Sequence, residues 1–66
     1  MQHRQISPLR LARLSRGVTQ EELADSLGVC RWTVMRWELG RTHPSNADIA
    51  AAADALHVEI GALVGR

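Results

Sequence analysis

TQEELADSLGVCRWTVMRWELG, residues 19–40, holds two short helical patterns separated by one break. Thr19-Gln20-Glu21-Glu22 is a capping box, in which the threonine hydroxyl and the Glu22 carboxylate each accept from the other's backbone N–H. Leu23, Ala24 and Leu27 follow at helical spacing, and Gly28 offers the left-handed residue that stops a helix. Beyond Gly28 and Val29 the spacing predicts a second helix, 31–39, closed by Gly40. At about 100° per residue this helix has unlike faces. Val34 and Trp37 point one way, with Glu38 at the border; Arg31, Trp32, Met35, Arg36 and Leu39 point the other. The first face suits a core. The second sets two arginines beside three large apolar groups, a surface that asks for a partner.

The link between these helices is too short for an antiparallel pair, so they must cross steeply. That is a helix-turn-helix arrangement, in which the second helix projects one face from the body. A projecting helix fits the DNA major groove, where arginine bonds guanine O6 and N7 and apolar groups pack on thymine methyls. The same punctuation recurs on both sides. Ser7-Pro8 reads as N-cap and first helical residue, with Leu9 and Ala12 on one face and Gly17 as the stop. Pro44-Ser45-Asn46-Ala47-Asp48 offers a second capping box, with Asp the weaker partner, ahead of Ile49, Ala52, Ala53 and Leu56. Ile60, Leu63 and Val64 predict a last short helix, with Ile60 and Leu63 completing the core and Val64 outside. Period-two runs and hairpin turns are missing. The expectation is an all-α, compact five-helix bundle over 7–66, preceded by a flexible arm, 1–6, whose Arg4 can lie along a bound polyanion.

Sixty-six residues make one domain, close to the lower size limit, since so short a chain buries only about 60% of its unfolded surface. One cysteine excludes an internal disulfide, and His3, His43, His57 and Cys30 lack metal-ligand spacing. Neither a metal nor another cofactor is expected. The chain carries no apolar run of about 20 residues and no signal-peptide pattern, which predicts a cytoplasmic, nucleoid-associated protein without membrane contact. Paired carboxylates in a cleft, a nucleophile–base arrangement and a phosphate-cradling glycine loop are all missing, so an enzyme is not expected. Net charge is +1, but residues 1–41 hold seven arginines against four acids and residues 42–66 one arginine against three. All eight cations are arginine. A positive half on a near-neutral chain points to a local anionic partner, against the plainer reading of an ordinary solvated surface.

Residues 19–44, TQEELADSLGVCRWTVMRWELGRTHP, resemble the helix-turn-helix of phage repressor and Cro proteins, the Xre-like family. The resemblance extends from Leu9 to Leu63, with Gln20, Ala24, Gly28, Val29, Thr33, Val34, Glu38, Gly40 and Pro44 in the family's register. It implies a lambda-repressor-like fold that binds operator double-stranded DNA, usually as a dimer. Carried over by position, it makes Gln20 a phosphate grip at the start of the second helix and Thr33 a phosphate-side contact. Arg31, Trp32 and Arg36 take the places of base readers, and Leu39–Arg41, with Arg41 as the basic residue, those of a loop on the opposite backbone. Arg13 and Glu38 match a salt bridge between the first and third helices.

The chain also departs from that family. Cys30 replaces the usual serine or threonine N-cap, and its place at a helix N-terminus beside Arg31 favours a reactive thiol; redox sensing and a plain stand-in for serine are its two readings. Trp32 is bulkier than the usual polar reader and either packs on sugar and thymine methyl or serves as a partner surface. Glu59 replaces the usual cap of the last helix. Leu11 and Leu14 stand where charged residues are common, either covered by the last helix or a terminus, or forming an interface. The function expected is sequence-specific transcriptional regulation, with repression by a weak homodimer that pairs through Leu11 and Val64 and reads DNA through helix 31–39. No attached sensor domain is expected. The alternative is a protein-interaction module, an antitoxin or phage modulator, for which DNA binding is secondary.

Overall fold

In the computed structural model, residues 7–64 are described, and they form α1 (Pro8–Ser15), α2 (Gln20–Leu27), α3 (Arg31–Leu39) and α4 (Asn46–Leu56), followed by a 3-10 turn, Ile60–Ala62. The expected arm, 1–6, lies outside the described residues. The starts of α1, α2 and α4 follow from their caps. Ser7 Oγ accepts from the Arg10 N–H at 3.0 Å, ahead of Pro8, whose missing N–H costs nothing in a first turn. In α2 the Glu22 N–H donates to Thr19 Oγ1 at 3.0 Å and the Thr19 N–H to Glu22 Oε1 at 2.9 Å. The reciprocal pair at α4 is looser, with Asp48 N–H to Ser45 Oγ at 3.1 Å and Ser45 N–H to Asp48 Oδ2 at 3.3 Å. The shorter aspartate side chain reaches back less well.

All four helices stop in the same way. The residue after a left-handed one donates its N–H five residues back: Val18 to Arg13 O (3.1 Å), Val29 to Ala24 O (3.0 Å), Arg41 to Arg36 O (2.9 Å) and Val58 to Ala53 O (3.0 Å). Glycine occupies the left-handed position at 17, 28 and 40, whereas α4 uses His57 at φ 58°. Valine is the donor at three of the stops, and each of those valines packs on the core. Arg41, at the close of α3, is exposed instead.

The core is built from Leu9 and Ala12 of α1, Leu23 and Ala24 of α2, Val34 and Trp37 of α3, and Ala52 and Leu56 of α4. α2 lies between α3 and α4, while α1 packs on α3 and on the terminal turn. Small residues at 12, 24, 52 and 53 let the backbones approach, and Trp37 fills the space that so many alanines leave.

The fifth helix expected from the sequence is corrected to the single 3-10 turn. Glu59 gives it no side-chain cap, and Gly61 within it weakens any helical preference. The segment therefore closes with short bonds, Ala62 N–H to Glu59 O and Leu63 N–H to Ile60 O, both 2.9 Å. Leu63 reaches the core. Ile60, expected there too, is exposed.

Candidate nucleic-acid interface

Gly28, Val29 and Cys30 connect α2 to α3, and Gly28 at φ 73° lets the chain turn within one residue. Val29 then anchors the turn against the core. With Val34 fully buried and Trp37 8% exposed, the rotation of α3 about its axis is fixed. Its other face is thereby offered to the surroundings: Trp32 is 65% exposed, Leu39 64%, and Arg31 and Arg36 are also exposed. Met35, expected on that face, is half-buried and sits at its edge. Arg41 follows directly beyond Gly40 and is exposed. Of the other predicted contacts, Gln20 and Thr33 are half-buried.

Beneath this face lies a polar network centred on Glu38. The Arg13 guanidinium grips both carboxylate oxygens, donating from Nε to Oε2 at 2.7 Å and from Nη2 to Oε1 at 3.2 Å. Its third donor, Nη1, satisfies the Val18 carbonyl at 2.8 Å, at the stop of α1. Both side chains are almost wholly buried, so the pair fixes the placement of α1 on α3 more surely than it adds stability. Among the described residues, no buried side-chain polar atom is left without a partner.

Gln20 extends the network to the surface. Its Nε2 donates to Glu38 Oε1 at 2.9 Å, and its Oε1 accepts from Arg31 Nε at 3.4 Å. The carboxylate can only accept, so the NH2 must face it and the carbonyl must face Arg31. One of the two amide protons stays available. Arg10 joins from α1, with Nη1 4.0 Å from Glu38 Oε1. Arg10, Gln20 and Arg31 share the wall of an open groove of about 540 Å³ that runs past the N-terminus of α2. Neither the place of Arg10 nor the Gln20–Glu38 bond was predicted. The only trace of the former in the sequence is the spacing of Arg10 and Arg13, which puts both on one face of α1.

Cys30 gives α3 no side-chain cap. Its Sγ lies 3.4 Å from Thr33 Oγ1. Hydrogen bonding to the Thr33 side chain, then to its backbone, holds this exposed thiol below its ordinary pKa. The cause is thus Thr33, where the sequence pointed to Arg31. Away from α3, Leu11, Leu14, Ile60 and Val64 are exposed. Among the described residues no cluster of three metal-ligating side chains occurs, and no helix is long and apolar enough to cross a membrane.

The model of the helix-turn-helix family matches residues 9–63. Several solved structures are similar to the chain. The clp gene regulator ClgR from C. glutamicum is 30% identical, with a TM-score of 0.80, over 86% of this chain and 74% of that one. The hypothetical transcription factor NHTF from Neisseria is 36% identical, with a TM-score of 0.77, over 85% of this chain and 64% of that one. No curated protein matches the chain.

Proposed function

The chain belongs to the Xre-like helix-turn-helix family, and from that premise we propose that it is a DNA-binding transcriptional regulator that represses by occupying an operator. The observation that carries this reading is the outward face of α3, where Arg31 and Arg36 stand exposed on a helix whose inner face is locked into the core. Arg31 and Arg36 enter the major groove beside Trp32. The free amide proton of Gln20 and the Thr33 hydroxyl bond phosphates on one side of the groove, and Arg41 holds the backbone on the other. Phosphate contacts set register and base contacts select sequence. The structural likeness to two proteins described as a gene regulator and a transcription factor supports the same reading.

The test is binding to a selected duplex and to random DNA over a range of salt. Arg31→Ala and Arg36→Ala each weaken the selected site by about 1–3 kcal/mol and random DNA by less, and affinity falls with salt as counterions are released. Equal losses on both duplexes would make the two arginines phosphate contacts only.

A single recognition helix covers too few base pairs for selectivity, so the operator is read by a weak homodimer with half-sites about 34 Å apart. The exposed Leu11 and Val64 supply its apolar contact. Leu11→Asp or Val64→Asp abolishes cooperative binding to paired half-sites and spares a single one. A monomer on the full operator, seen by sedimentation, would refute the dimer and favour the reading in which Leu11 and Val64 meet another protein.

A further inference from the structure

The exposed face of α3 combines donors and apolar groups and offers no free acceptor. Arg31 and Arg36 can only donate, and Trp32, Met35 and Leu39 are apolar apart from the indole N–H, a further donor. Two side chains of α3 carry oxygen acceptors, and neither is free on this face. Glu38 is buried, with its oxygens on Arg13 and Gln20. The Thr33 hydroxyl, half-buried beside Cys30, lies off this face, about 100° round the helix from Trp32. The nearby Gln20 carbonyl faces Arg31.

Base edges in the major groove make unlike demands. Guanine shows two acceptors, cytosine an amino donor, adenine a donor beside an acceptor, and thymine an acceptor with a methyl group. A face without acceptors cannot take the amino hydrogens of cytosine or adenine. It can bond guanine through arginine and cover a pyrimidine 5-methyl with Trp32 or Leu39. Trp32, Arg36 and Leu39 follow one another at i, i+4 and i+7, along a single line of the helix. The Arg36 guanidinium therefore has an apolar group one turn before it and another one turn after.

Building on the function proposed above, we infer that Trp32 and Leu39 determine specificity by contact with a pyrimidine 5-methyl next to a guanine held by Arg36. The half-site is thus defined by the methyl, whether carried by thymine or by 5-methylcytosine. The methyl is common to both bases, so methylated cytosine is preferred over unmethylated cytosine as thymine is over uracil.

The experiment takes the full chain and the duplex it selects from random sequence. Uracil is placed at each thymine in turn, which removes the methyl and leaves pairing and O4 intact. At the thymine beside the contacted guanine, uracil weakens binding about fourfold, the effect of one buried methyl-sized group. A 5-methylcytosine–guanine pair at that position binds about fourfold more tightly than an unmethylated cytosine–guanine pair, the same ratio as thymine to uracil. Trp32→Ala or Leu39→Ala removes the difference between thymine and uracil while leaving the thermal melt in place. Equal binding to thymine and uracil at every position, or equal binding to methylated and unmethylated cytosine, overturns this inference and leaves the regulator reading intact. Failure to select any duplex overturns both.

Discussion

Trp37 and Trp32 stand on the same helix, five residues apart, in opposite surroundings: one 8% exposed and packed into the core, the other 65% exposed on the outward face. The inner side of α3 (Val34, Trp37 and Glu38) is fully partnered by protein. The outer side holds side chains of similar size and greater charge that are largely exposed, with Arg31 touching Gln20 and Met35 at the edge. A helix that needed only to be stable would not carry two arginines, a tryptophan and a leucine into water. The inner face sets where α3 sits, and the outer face is left free to meet something else.

This contrast is tested most severely by truncating each tryptophan. Trp37→Ala leaves a hole in a core otherwise rich in alanine and destabilises by about 3–5 kcal/mol, enough to unfold much of so small a domain. Trp32→Ala shifts the unfolding free energy by less than about 0.5 kcal/mol and changes DNA affinity instead. Thermal melts that ranked the two the other way would reverse the assignment of the faces. Glu38→Ala comes next, at about 3 kcal/mol, because it leaves the Arg13 guanidinium buried without its carboxylate. In a double-mutant cycle with Arg13→Ala, the second substitution costs far less than it does alone. The smallest effect belongs to Cys30→Ser. A serine hydroxyl caps the N-terminus of α3, which the thiol does not, so the melting temperature rises slightly. An unchanged or lower value would mean that the Cys30–Thr33 contact is worth as much as a cap.

What the sequence discloses and what it conceals follow from the range of each interaction. Both capping boxes lie within four residues, so Thr19–Glu22 and Ser45–Asp48 can be read directly, and so can the stops at Gly28 and Gly40. The two faces of α3 follow from periodicity, apart from Met35, which lies on the border where a few degrees of rotation decide burial. The pairing of Arg13 with Glu38 spans 25 residues and was reached only through family resemblance. The bond from Gln20 to Glu38 depends on how α2 is set against α3, which no local pattern encodes. The last segment misled because Ile60, Leu63 and Val64 have helical spacing while Glu59 and Gly61 withhold the cap and stiffness a helix needs. His57 is a further concealed position, since a histidine in the left-handed conformation carries no signal like that of glycine.

The closing turn of α3 differs from the other three helix ends in a way that bears on motion. Val18, Val29 and Val58 latch their turns to the core, while Leu39, Gly40 and Arg41 are all exposed, with backbone bonds from Gly40 N–H to Trp37 O and from Arg41 N–H to Arg36 O but no apolar latch. Local opening is easiest where buried apolar contacts are fewest, so α3 frays from this end while its first two turns stay rigid. If α3 enters DNA as proposed above, a helix loose only at its tip can adjust to grooves of slightly different width without disturbing the core. The cost is conformational entropy: in the proposed DNA complex residues 39–41 must be ordered on binding, and part of any attraction between Arg41 and phosphate is spent in holding them still.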